Sequence, residues 1–315
     1  MNVFTRETRH VLSVAQFERA DLDRLFERAE RCIPIAAGKA VSRALEGKVL
    51  ANLFFEPSTR TRLSFGTAFL RLGGAVESSV GMQFSSMAKG ETLEDTIRVI
   101  SGYSDVIVLR HPELGSAARG ASVANCSIVN GGDGPGEHPT QALLDVFTIL
   151  RERGSVDGVH VALVGDLKYG RTVHSLARLL SRYKDVKLTF VSPPSLSMPE
   201  SVTEILDARG VTWSVAPTLA DAAASADVLY VTRLQAERFQ DPTEAARLVG
   251  SYVVDRALLE SVDRAQDIVI MHPLPRFGDL SPDVDDLPGA AIFRQAHYGV
   301  PVRMALFCDI FGVEP

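Results

Sequence analysis

Seven short, unbroken apolar runs set the tightest limit on what this chain can fold into: KVLANLFF (48–55), DVIVLR (105–110), CSIVNGG (126–132), VHVALVG (159–165), KLTFVS (187–192), DVLYVTR (227–233) and DIVIMH (267–272). They are rich in Val, Ile, Leu and Phe and do not alternate with polar residues, as expected of parallel strands buried on both faces. Between them, Phe65, Ala68, Phe69 and Leu72, then Leu93, Ile97 and Ile100, then Leu143, Phe147 and Leu150 recur at helical spacing. The order is βαβα, which predicts an α/β fold with mostly parallel sheets flanked by helices and right-handed crossovers. A chain of 315 residues is long for one hydrophobic core, so two domains are expected. The helical stretch HPTQALLDVFTILRERGS, closed by Gly154, is the candidate connector between them. The tail GVPVRMALFCDIFGVEP reads as a last helix whose docking surface its own sequence does not disclose.

Composition narrows the function classes. A formal charge of −6 excludes nucleic acid or an anionic membrane surface as the main partner, because both require a basic face. Any anion site must be locally basic on an acidic protein. Cys32, Cys126 and Cys308 are far apart, odd in number and in no CxxC pattern, so neither a disulfide framework nor a zinc site is expected. The N-terminal stretch is broken by charge every few residues, unlike a secretory h-region, and no run approaches the ~18 apolar residues that cross a bilayer. A cytoplasmic location is expected.

In open parallel sheets, ligands bind beyond the carboxyl ends of the strands. The segments that follow the strands here are EPSTRTR, HPE, DGPGEHPTQ, DLKYGRT, LQAER and PLPR, and six of the seven strand ends carry Arg, His or both. A helix starting near Ser58 would aim its free N–H groups and positive dipole end at the strand end, where an anion is welcome. Ser58, Thr59 and Thr61 offer hydroxyls and Arg60 a planar fork, which together suit a phosphate; the alternative is a surface N-cap with solvated arginines. Arg110 ends an apolar strand, where it needs either a compensating partner or a route to the surface. His138, before Pro139, sits at a helix N-terminus, fit to polarise a carbonyl oxygen or simply to cap; Gln141 shares that turn. Arg171 and Arg233 suggest carboxylate recognition, with surface ion pairs as the alternative. DLKYGRT lacks the GxGxxG of a dinucleotide site, and no metal spacing or GxSxG elbow is present.

FFEPSTRTRLSF, KGETLEDT, DVIVLRHPE, GDGPGEHPTQALLD, GDLKYGRTVHSL, YVTRLQAER and MHPLPR occur in this order along nearly the whole chain. Together they resemble the carbamoyltransferase family, and within it the catalytic chain of the aspartate branch. HPLPR is similar to that branch, whereas the ornithine branch usually has HCLP, so that Pro273 stands in place of a cysteine. The resemblance implies carbamoyl transfer from carbamoyl phosphate to the amine of L-aspartate, the committed step toward pyrimidines, with no metal or organic cofactor. It implies a carbamoyl phosphate domain over 1–142, an aspartate domain over 143–293 and a C-terminal helix over 294–315 returning to the first domain. Ser58, Thr59, Arg60 and Thr61 would hold the phosphate, and Thr61, Arg110 and His138 would stabilise the developing oxyanion. Gln141 and the carbonyls of Pro273 and Leu274 would orient the carbamoyl NH2 and the amine, while Arg171, Arg233 and Gln235 would grip aspartate.

The resemblance also implies a homotrimer, in which Ser85 and Lys89 of one subunit enter a neighbour's site; Ser86 is adjacent and is the alternative serine. Regulatory chains or a dihydroorotase are candidate associates. Two departures from the family pattern are Gly66, where glutamate is common, and VESSVGMQF, read as a loop before KGE. The rival readings are transfer to ornithine or an acylated ornithine, and a silent carbamoyltransferase-like subunit.

Overall fold

The computed structural model describes residues 8–81, 86–235, 250 and 252–315. The chain divides into two compact units, one of Met1–Leu143 with Tyr298–Pro315 and one of Leu144–His297. Every one of the seven apolar runs becomes a strand. In chain order the first unit contains α1 (Arg19–Ala36), β1 (Val49–Phe54), α2 (Thr59–Arg71), β2 (Ala75–Val80), α3 (Leu93–Ile100), β3 (Val106–His111), α4 (Ser116–Ala121) and β4 (Ser127–Asp133). Helix α5 (Pro139–Arg153) starts in this unit and ends in the second.

The first sheet has the order β2-β1-β3-β4, with every pairing parallel. Alternation along its strands buries one set of side chains against α3: Ala51, Leu53 and Phe55 join Ile107 and Leu109 around Leu93 and Ile97. VESSVGMQF, read as a loop, begins inside β2, which was missed because its side chains are mostly exposed and polar residues interrupt it. An edge strand covered on one side only does not read as an apolar run.

The second unit contains β5 (His160–Gly165), α6 (Arg171–Leu180), β6 (Lys187–Val191), α7 (Glu200–Ala208), β7 (Thr212–Val215), α8 (Leu219–Ser225), β8 (Val228–Thr232), α9 (Arg256–Ser261) and β9 (Val269–Met271). Its sheet has the order β7-β6-β5-β8-β9, again parallel throughout. The short, exposed β7 is the second strand absent from the sequence reading, for the same reason as β2. Residues Ala162, Val164, Leu229, Val231 and Ile270 lie at the centre of its core.

The last helix, α10, spans Ile292–Phe311 and carries Pro301 within it, so GVP is part of the helix rather than its start. Its second half belongs to the first unit. There Phe307 meets Phe65 and Phe69 of α2 edge-to-face, with centroids 6.0 and 4.9 Å apart. Such pairs add about 0.5–1.5 kcal/mol each beyond the area they bury.

Candidate active site

Both sheets reverse their strand order at one place. In the first unit β1 connects through α2 to β2 on one side, while β3 connects through α4 to β4 on the other, so the crevice opens between β1 and β3. In the second unit the reversal lies between β5 and β8. Ser58–Thr61 follow β1 and Arg110 lies near the end of β3 at the first of these places, and Arg171, Arg233 and Gln235 follow the strands at the second.

At the first, Ser58 is the N-cap of α2 in extended conformation, and its side chain does not cap the helix. The first turn contains no acidic residue, so the free N–H groups and Arg60 face no competing charge from α2 itself. Thr61 is buried; Arg60 is exposed as a residue, yet partial desolvation lowers its pKa from the usual arginine value. Arg110 stands beside Phe54 in the β1–β3 register, only 8% exposed. Its fork donates to Glu56 Oε1 at 3.1 Å and to the Gly131 carbonyl at 3.2 Å, so it has the compensating partner that burial requires. Glu56 was not identified from the sequence, although it lies inside the quoted EPSTRTR.

His138 follows the adjacent strand β4 and is buried immediately before α5; Gln141 is half-buried one turn on. The turn that carries His138 is held by Asp133, whose carboxylate accepts from the N–H groups of Glu137 (2.8 Å) and Gly115 (3.1 Å) and from the Asn130 amide (3.2 Å). Helix α10 adds Arg303, which donates to Ser64 Oγ at 2.7 Å and Thr140 Oγ1 at 3.3 Å while stacking over Phe65. One arginine thus ties the second turn of α2 to the first turn of α5. The strand ends β1, β3 and β4 are neighbours, so Ser58–Thr61, Arg110 and His138–Gln141 emerge side by side. Lys89 is exposed at the end of a short 3₁₀ turn, Ser86–Lys89, and Ser85 lies outside the described residues.

At the second reversal, Arg171 is buried as the first residue of α6, and Arg233 and Gln235 are half-buried just beyond β8. Buried Asp166 links these two segments: its carboxylate accepts from Tyr169 N–H at 2.9 Å and from Gln235 N–H at 3.1 Å. Between them lies a cavity of about 60 Å³ lined by Gly165, Asp166, Thr232, Leu234, Tyr252 and Phe277. Pro273 and Leu274 follow β9, the strand beside β8, and Leu274 takes φ +57°. Among the described residues no group of His, Cys, Asp or Glu could hold a metal, and no helix is long and apolar enough to cross a membrane.

Two doubly wound parallel units, each with cationic side chains at its strand-order reversal, define a two-domain α/β protein suited to anionic small molecules. The chain belongs to the aspartate/ornithine carbamoyltransferase family: residues 9–151 match the model of its carbamoyl-P binding domain and 157–310 that of its Asp/Orn binding domain. It is 48% identical over 298 residues to the aspartate carbamoyltransferase catalytic subunit of Methanocaldococcus jannaschii, covering 95% of this chain and 96% of that one. It is 52% identical to the chloroplastic aspartate carbamoyltransferase 3 of Pisum sativum, over 94% of this chain and 76% of that protein. The aspartate transcarbamoylase of Trypanosoma cruzi, solved with carbamoyl phosphate and aspartate, superposes with a TM-score of 0.89 at 42% identity, covering 96% of each chain.

Proposed function

We propose that this chain transfers the carbamoyl group of carbamoyl phosphate to the amine of L-aspartate, releasing N-carbamoyl-L-aspartate and phosphate. The observation that carries the reading is the register of the first sheet. With Arg110 beside Phe54, the guanidinium arrives at the same crevice as the acid-free first turn of α2. Ser58, Thr59, Arg60 and Thr61 hold the phosphate, using hydroxyls, the arginine fork and the helix N-terminus. Arg110 turns from Glu56 to the ligand, and with Thr61 and His138 it stabilises the oxyanion that forms as nitrogen attacks the carbonyl carbon. Gln141 and the carbonyls of Pro273 and Leu274 orient the carbamoyl NH2. Arg171, Arg233 and Gln235 receive the aspartate carboxylates; two arginines suit a dicarboxylate better than a diamine such as ornithine.

The C–N bond forms first, giving the tetrahedral oxyanion; its collapse restores the carbonyl and breaks the C–O bond to phosphate, and the proton lost by the amine passes to the departing phosphate. Little acid–base work is left to the protein, and holding amine and carbonyl together supplies up to about 7–11 kcal/mol in favourable cases. The reading includes a cytoplasmic homotrimer in which Ser85 and Lys89 serve a neighbour's site, in keeping with the exposure of Lys89 and with three buried cysteines held as thiols. The test is product formation from carbamoyl phosphate with L-aspartate and L-ornithine in parallel, with phosphate release as second readout. Carbamoylation of aspartate alone is expected. Turnover with ornithine only, or binding of carbamoyl phosphate with no turnover of either amine, would overturn the proposal.

A further inference from the structure

His272 opens the HPLPR segment, is 1% exposed, and has no part in the reaction as described above. It belongs to a buried polar chain within the second unit. Its backbone N–H donates to Gln295 Oε1 at 2.8 Å, and the Gln295 amide donates to Asp145 Oδ1 at 2.7 Å. The other oxygen of Asp145 accepts from the Tyr230 hydroxyl at 2.8 Å. Burial, reinforced by Asp145, pushes the Tyr230 phenol well above its usual pKa, so that it remains a donor. The ring is held as firmly as the backbone. Leu274 N–H donates to Nδ1 at 2.8 Å, Nε2 faces Asp279 Oδ2, and Asp279 Oδ1 accepts from Phe277 N–H at 2.7 Å.

These partners leave one assignment. A backbone N–H can only donate, so Nδ1 must offer its lone pair, and the hydrogen on the ring must sit on Nε2, pointing at Asp279. The bond to Nδ1 falls on Leu274, a leucine in the left-handed region at φ +57°, which a non-glycine side chain adopts only when its surroundings impose it. We propose that His272 is a positioning residue. With Asp279 fixing its ring and Gln295–Asp145 fixing its backbone, it holds Leu274 in that conformation and so aims the Pro273 and Leu274 carbonyls. The inference rests on the proposed role of those carbonyls toward the carbamoyl NH2 and the amine.

Two substitutions separate positioning from mere packing. His272→Asn retains an acceptor for the N–H two residues on, as asparagine does in turns, whereas His272→Gln does not. With both variants folded as judged by thermal melting, His272→Gln is expected to lose about 10²-fold in kcat with little change in either KM, and His272→Asn at most about tenfold. Equal kcat in the two variants, or a loss confined to KM, would overturn the inference. Nitrogen chemical shifts of the His272 ring in the unaltered protein provide a second decision that needs neither substrate nor a variant that folds. Hydrogen on Nε2 alone supports the clamp, and hydrogen on Nδ1 refutes it. Because the shifts are read without turnover, failure of the clamp is distinguishable from failure of the aspartate reading, which the unaltered enzyme's product assay reports.

Discussion

Gly165→Ala should disable the aspartate half while sparing the carbamoyl phosphate half. Gly165 ends β5 with φ +112° and pairs with Thr232 of β8, at the strand-order reversal of the second unit. A Cβ there would lie 2.1 Å from the Thr232 carbonyl oxygen and 3.2 Å from its carbon, both backbone atoms that cannot swing away. Restoring a tolerable contact requires roughly 1 Å of separation between β5 and β8, and forcing extra atoms into packed structure costs about 1–3 kcal/mol. The backbone conformation, nearly exclusive to glycine, adds about 1–3 kcal/mol more. Together these take a large part of the ~5–15 kcal/mol that holds a domain folded.

The two strand ends carry Asp166 and Arg171 on one side and Arg233 and Gln235 on the other. A displacement of ~1 Å at such a site lowers kcat/KM for aspartate by about 10²-fold. The assay varies aspartate at saturating carbamoyl phosphate, with calorimetric binding of carbamoyl phosphate to the folded variant as the measure of the first unit. Gly154→Ala is the control. Its φ is also positive, at +77°, but nothing lies within 4 Å of the added carbon, so only the left-handed penalty of about 1–2 kcal/mol applies. A folded Gly165→Ala variant with undiminished efficiency toward aspartate would refute the close-approach argument, as would an equal loss of affinity for carbamoyl phosphate.

Further outcomes are expected. Arg60→Ala should lower kcat/KM by roughly 10²–10³-fold, far more than Arg151→Ala, and near-equal activities in steady-state assays would remove the phosphate cradle. Gly66→Ala should stabilise the protein by about 0.5–1 kcal/mol in denaturant titrations, because a Cβ there meets Asn52 Nδ2 and Val76 Cγ1 at 3.6 and 3.7 Å, ordinary contacts in a helix where glycine is a poor choice. Burial pushes the Asp279 carboxyl up, but the hydrogen bonds from His272 and from Phe277 N–H outweigh it and set the pKa below its ordinary value. A carboxylate depressed in the folded state adds stability above its unfolded pKa of about 3.9 and loses it as pH falls through the folded value. Melting temperatures between about pH 5 and pH 2 should therefore fall less steeply in Asp279→Asn, and parallel slopes would contradict the assignment.

Local chemistry was enough to make much of this protein legible. Strands buried on both faces must be continuously apolar, so all seven interior runs could be read directly, together with the polar segments that follow them. Ser58 as the start of α2 and His138 before α5 follow from cap and proline preferences that act within a few residues. What the chain could not disclose locally were two of its edge strands, β2 and β7, whose exposed side chains carry no unbroken apolar signal, unlike the edge strands β4 and β9. Nor could it disclose contacts between residues far apart in sequence. Glu56 meets Arg110 because β1 and β3 pair in one register. Asp166 joins the segments after β5 and β8 because those strands are neighbours. Arg303 reaches Ser64 and Thr140 only after α10 has docked through Phe307. The sequence alone determined which groups are available for anion chemistry and on which element each one sits. Which of them share a crevice, and which buried carboxylates and histidine hold them there, was decided by strand order and helix docking, since pairing energies between distant segments are settled only when the whole sheet forms.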